Sequence, residues 1–130
     1  MRFVSVFLAC VMHCLLGFIW YGPLYGSAFL RLAHPHKVPN DTEPDPKAFV
    51  SMGVGTLVGM GFYAFVLDIV APARGVDGML WGVLFGFLDA GMHMPHGWFE
   101  ERPFGLYLLH QGYHWVSYII NGALIAWMNS

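Results

Sequence analysis

The sequence predicts an all-α membrane protein, a four-transmembrane-helix bundle with a short interfacial helix after the first span. Three observations lead there. Of the 130 residues 57% are hydrophobic. Only 11% are charged, against roughly 25% in an average soluble domain, which is too few to coat a soluble surface. Residues 3–30, 48–67 and 103–130 carry no Asp, Glu, Lys or Arg, and each run is long enough for a bilayer core that takes ~20 helical residues to cross. A fourth run, 76–98, is equally apolar apart from Asp77 near its start and Asp89 close to its middle.

The first helix is expected over residues 3–20. Its apolar run exceeds the ~7–15 residues of a signal-peptide core, so it reads as an uncleaved span despite Arg2 in front of it. It ends in "WYGPLYG", where Pro23 and the flanking glycines break helical order. Trp20, Tyr21 and Tyr25 are of the types that settle at the lipid headgroup level. "PLYGSAFLRL" suits the interfacial helix, with Leu24, Phe29 and Leu30 facing inward. Residues 33–46, rich in proline and acid and containing His34 and His36, read as a solvated loop.

The second helix is expected over 46–71, the third over 76–98 and the fourth over 104–128, all within one transmembrane domain, residues 1–130. An even number of crossings puts both termini on one side, with the loop and "EERP" opposite. Arg2 and Arg74 stand on the terminal side, against Arg31, Lys37, Lys47 and Arg102 on the other. The positive-inside rule favours a cytoplasmic loop side, but six charges leave orientation open.

The third helix repeats Gly78, Gly82, Gly86 and Ala90 every fourth residue. Such a small face lets helix backbones approach closely in lipid. Gly55 and Gly59, with Ser51, form a matching row on the second helix. Two such faces in so short a chain favour association with other copies of itself or with a larger membrane complex.

Polar groups in a span must face away from lipid. Helix four carries a stripe of Tyr107, His110, Gln111, His114, Ser117, Tyr118 and Asn121, and helix one offers His13 beside Cys10 and Gly17. If the turn between helices three and four is centred near residues 101–102, Asp89 falls level with His114 and His93 with His110. An ionised Asp at mid-membrane costs about 2.5–3.5 kcal/mol on insertion scales, so Asp89 must be neutral, paired or wet.

Three readings of this polar core follow. The first is an interhelical hydrogen-bond network in a structural or accessory, non-enzymatic subunit. The second is a small transporter or proton-conducting protein using Asp89 and His114, since intramembrane Asp and His mark relays. The third is a metal or haem site. Asp89 with His93, and His110 with His114, are i,i+4 pairs able to offer four ligands to a divalent metal, and His93 with His110 is a candidate haem pair. Met92, Met94 and His96 in "MHMPH" are soft-ligand types for copper, and Cys10, His13 and Cys14 a candidate thiolate set. The expectation is no cofactor. A net charge of −2 without a basic stripe excludes nucleic acid as a partner, and no nucleophile elbow or phosphate loop supports soluble-enzyme chemistry.

"GFIWYGPLYGSAF" and "FEERPFGLYLLHQGYHWVSYIINGALIAW" resemble a family of small, mainly bacterial, integral membrane proteins, the domain-of-unknown-function family 1761. The resemblance is carried by Trp20, Gly22, Pro23, Leu24 and Gly26, then by Phe99, Glu100, Arg102, Pro103, Gly112, Tyr113, His114, Gly122, Ala123 and Trp127. It implies a four-helix membrane protein and no particular activity. The family pattern has an imidazole at His114 and variable residues at 110, which implies that His13, His93, His96 and His110 belong to this chain rather than to a shared metal site.

Overall fold

A computed structural model describes residues 3–33 and 46–129. The loop with His34 and His36 thus falls almost wholly outside the described residues, as does Arg2. Those described form five α-helices and no strand: α1 (Phe3–Ile19), α2 (Gly26–Ala33), α3 (Pro46–Val70), α4 (Gly75–Phe99) and α5 (Phe104–Asn129). Two segments are long and apolar enough to cross a membrane, Phe3–Leu24 and Pro46–Val70.

"WYGPLYG" does not simply break the chain. The helix widens into one π-helical turn, Trp20–Leu24, in which Tyr25 N–H donates to the Trp20 carbonyl at 2.8 Å. Pro23 has no N–H to give, so a local change of pitch there sacrifices little. α2 follows at once, with Phe29 and Leu30 half-buried but Leu24 exposed. The extra residue of the wide turn rotates Leu24 off the inward face on which a regular helix would have placed it.

The remaining ends have local causes. At Ala71, which takes a positive φ, α3 stops, and Pro72 forbids its continuation. α4 opens with the Asp77 carboxylate accepting the Arg74 backbone N–H at 3.1 Å and pairing with the Arg74 guanidinium at 3.3 Å, which satisfies an orphan donor and sets negative charge at the helix N-terminus. α4 closes with Glu101 at φ 56°, Arg102 N–H reaching back to Gly97 O at 2.8 Å and Glu101 N–H to Trp98 O at 3.3 Å. This is a Schellman turn that tolerates glutamate where glycine is usual.

α4 and α5 then run antiparallel in close contact. At Gly78 an added Cβ would collide with the Gly122 carbonyl, at Gly82 with the Tyr118 carbonyl, and at Gly86 with the Trp115 indole. α1 and α3 lean on this pair. Val6, Ala9, Met60, Tyr63, Ala64, Leu67 and Ile125 form the apolar core, with Trp81, Phe85 and Tyr118 packed on it. α3 meets α4 through the Tyr63 and Phe85 rings, centroids 5.0 Å apart, and otherwise makes few contacts with it.

Candidate functional site

Away from that apolar core, towards the α4–α5 turn, the same helices carry the polar residues. The backbone pairs Gly78 with Gly122 and Gly82 with Tyr118. Carried along the helices, this register sets Asp89 level with residues 111–112, not with His114. The expected levels are therefore displaced by roughly two to three residues, ~4 Å at 1.5 Å per residue, because the turn is centred nearer Glu100 than Arg102. Proximity survives, since helical side chains lean towards their own N-terminus. In an antiparallel pair Asp89 leans one way and the side chains of α5 the other. Asp89 accordingly has both His114 and Tyr118 as electrostatic neighbours.

Asp89 is mostly enclosed. Its Oδ1 lies 3.3 Å from His93 Nδ1, with 14% of the Asp89 side chain exposed against 56% of the His93 side chain. His93 Nδ1 also stands 2.9 Å from the Asp89 carbonyl oxygen. Asp89 Oδ2 is buried without a hydrogen-bond partner of good geometry, and so is Gln111 Oε1.

His110 is held from the other direction. Its Nδ1 shares a 2.5 Å hydrogen bond with the Tyr21 hydroxyl of the π-turn, while Trp20 Nε1–H donates to the Leu109 carbonyl at 3.0 Å. One feature thus accounts for both contacts: the wide turn aims two consecutive aromatic side chains at one stretch of α5. Tyr21 was legible in the sequence only as a headgroup-level aromatic.

His13 and Asn121 belong to a second network. His13 Nδ1 and Ser117 Oγ are 2.6 Å apart, and Asn121 Nδ2–H donates to the same Ser117 oxygen at 3.1 Å. Tyr113 O–H donates to the His13 carbonyl at 2.7 Å, and the His13 and His114 rings stack at 6.4 Å. Asn121 is fully buried, yet its Oδ1 finds no partner.

Two cavities meet at His114. One, of about 360 Å³, runs between α4 and α5 from Glu100 and Arg102 past His96, His93 and Gln111 to His114. The other, of about 300 Å³, lies among α1, α3 and α5 and is lined by His13, Ser51, Gly55, Thr56 and Ser117, again with His114.

Of the small residues, Gly78, Gly82 and Gly86 are buried in the α4–α5 seam, and Ala90 offers its carbonyl to the Tyr107 hydroxyl at 2.6 Å. Gly55 and Gly59 are exposed, and a Cβ at either would touch nothing within 4 Å. Their row faces outside the single chain.

No three His, Cys, Asp or Glu side chains among the described residues come together as a metal-ligand group. Asp89, His93, His110 and His114 therefore share a neighbourhood without forming a four-ligand shell, and Cys10, His13 and Cys14 form none either. Cys10 instead directs its thiol to the Thr56 carbonyl at 3.9 Å. Met92, Met94 and His96 are exposed on α4, His96 at the rim of the cavity between α4 and α5.

These features define a class: an all-helical protein with membrane-compatible helices and a polar interior laid along its last helix. The chain belongs to the family described as protein of unknown function, DUF1761, whose model matches residues 4–126 and so reaches into every helix described above. Neither a curated protein nor a solved structure matches the chain.

Proposed function

We propose that the protein is a four-span integral membrane protein that acts as a non-enzymatic structural subunit of a homo-oligomer. α4 and α5, with 25 and 26 residues, extend ~37–39 Å and exceed the ~30 Å hydrocarbon core. Their average apolarity is lowered by inward-facing groups such as Asp89, His110 and Asn121. The outward residues of α4, Leu80, Leu84, Phe87 and Leu88, are exposed and apolar, the distribution a lipid-facing helix requires.

The observation that carries the subunit reading is the cavity beside α3. Its lining includes the polar side chains of His13, Ser51, Thr56 and Ser117, its α3 edge is the exposed row Ser51, Gly55 and Gly59, and no other described helix covers that edge. In lipid such an edge sets hydrocarbon against the exposed Ser51 and the bare helix backbone at Gly55 and Gly59, beside the half-buried His13, which is costly. A second copy bringing its own small-residue face would close it at short interhelical distance.

The test is the mass of the protein in lipid nanodiscs or mild detergent, combined with disulfide trapping of Gly59→Cys in a Cys10→Ala/Cys14→Ala background. A dimer or larger ring, trapped at position 59 and dispersed by Gly55→Leu/Gly59→Leu, is expected. A monomer at every protein-to-lipid ratio refutes it. A second reading, a small transporter or proton-conducting protein, is favoured by one observation: His114 forms a wall common to both cavities.

A further inference from the structure

Near the end of α4, two imidazoles stand outside the hydrogen-bond networks of α5. His93 and His96 lie one turn apart on an exposed stretch of the helix, with ring centroids 5.8 Å apart. At a metal–nitrogen bond of ~2.0–2.1 Å, a ring centroid sits ~3.2 Å from the metal. Two imidazoles sharing one ion therefore have centroids ~5.2 Å apart at a tetrahedral angle and ~6.4 Å apart in line. The observed spacing falls between these limits.

The tautomer of His93 points the same way. Its Nδ1 lies 2.9 Å from the Asp89 carbonyl oxygen, which can only accept, so Nδ1 carries the proton and Nε2 of the neutral ring keeps its lone pair. The Asp89 carboxylate, 3.3 Å from the same nitrogen, reinforces that choice. A ring with one nitrogen tied to a carbonyl or carboxylate and the other open is the form in which histidine holds metals. The His96 ring makes no hydrogen bond among the described residues.

We infer that His93 and His96 form a binding site for a divalent transition metal of the imidazole-preferring class, Zn²⁺ among them, completed by the Glu100 carboxylate. Glu100 follows His96 by one turn and His93 by two, and all three line the same groove. Its carboxylate is turned to Arg102 at 2.9 Å, so two ligands rather than three stand together. Both members of that ion pair are more than half exposed, and such pairs are weak, so an ion that binds the imidazoles can recruit Glu100 at little cost. Gly97 leaves room between the three, since a Cβ there would meet nothing within 4 Å. Glu100 and Glu101 outnumber Arg102 at this end of the helix, which favours a cation.

Three protein ligands leave a fourth position to water, an open and exchangeable site rather than a closed structural one. His93 precedes the end of α4 at Phe99 by six residues, a rise of ~9 Å, so the ion arrives from the face that carries the α4–α5 turn. The site lies within one chain and is independent of the subunit reading.

The test is calorimetric titration of the purified protein in mild detergent with Zn²⁺. A Cys10→Ala/Cys14→Ala/His34→Ala/His36→Ala background keeps thiols and loop histidines from contributing. One ion per chain is expected. His93→Ala and His96→Ala should each weaken binding by at least about tenfold. Glu100→Gln should weaken it several-fold and Glu101→Gln should not. Arg102→Gln releases Glu100 and should tighten binding by up to about fivefold, a gain that a merely structural role of the turn would not produce. Unchanged helicity by circular dichroism separates lost ligands from lost folding.

No saturable binding at millimolar Zn²⁺, or equal affinity in the His93→Ala/His96→Ala protein, overturns the site. Loss of binding in Met92→Leu/Met94→Leu with both histidines in place would assign the ion to the thioethers and overturn it as well.

Discussion

Gly82→Ala is the most direct probe of the seam on which the polar core depends. The new methyl group would be built 2.6 Å from both the Tyr118 carbonyl carbon and the Ile119 Cα, where ordinary contact is 3.4–4 Å. Those atoms are helical backbone and cannot rotate aside, so α4 and α5 must part locally by about 1 Å. A gap of ~0.5–1 Å forfeits a quarter to a half of each dispersion contact across it, and overpacked sites typically lose ~1–3 kcal/mol. We expect the upper part of that range, because the Tyr118 carbonyl also accepts the Tyr63 hydroxyl at 2.9 Å and would be displaced. Gly55→Ala is the control: with nothing within 4 Å of its Cβ, it should leave stability within about 0.5 kcal/mol. The assay is equilibrium unfolding in mixed micelles under conditions that keep the chain monomeric, followed by Trp fluorescence. A Gly82→Ala protein as stable as its parent, or a Gly55→Ala protein destabilised more than Gly82→Ala, would refute this account of the seam.

Tyr21→Phe removes the partner of His110 Nδ1 and should cost about 0.5–1.5 kcal/mol in the same unfolding assay, with Trp20 emission shifting as the π-turn loosens. Ser117→Ala deprives both His13 and Asn121 of their shared oxygen. It should cost more, about 1–3 kcal/mol, because two buried groups lose their partner together, whereas Ser117→Thr should retain most of the stability.

Much of this was legible in the sequence because helices and their faces are local matters. Charge-free runs and the four-residue spacing of Gly78, Gly82 and Gly86 require only a count, and those glycines lie in the seam. Gly55 and Gly59 show the same spacing and lie exposed. A small face states that a close neighbour is permitted and says nothing of which neighbour arrives. Likewise, the stripe from Tyr107 to Asn121 follows from helical periodicity, but its division into separate networks does not. His110 is claimed by Tyr21 through a π-turn that no hydrophobic pattern announces. Ser117 gathers His13 and Asn121 because α1 happens to cross α5 at that height.

The sequence by itself determined that the chain is helical and apolar, which residues share a helix face, and that polar residues recur along one face of the last helix. Only the tertiary structure decided which imidazoles become neighbours. Levels across an antiparallel pair depend on where the turn is centred, and reach across it depends on the lean of each side chain. A displacement of a few ångströms decides whether Asp89 and His114 interact, because electrostatic and hydrogen-bonding contacts fall off over that same distance while the hydrophobic pattern that specifies the helices is blind to it.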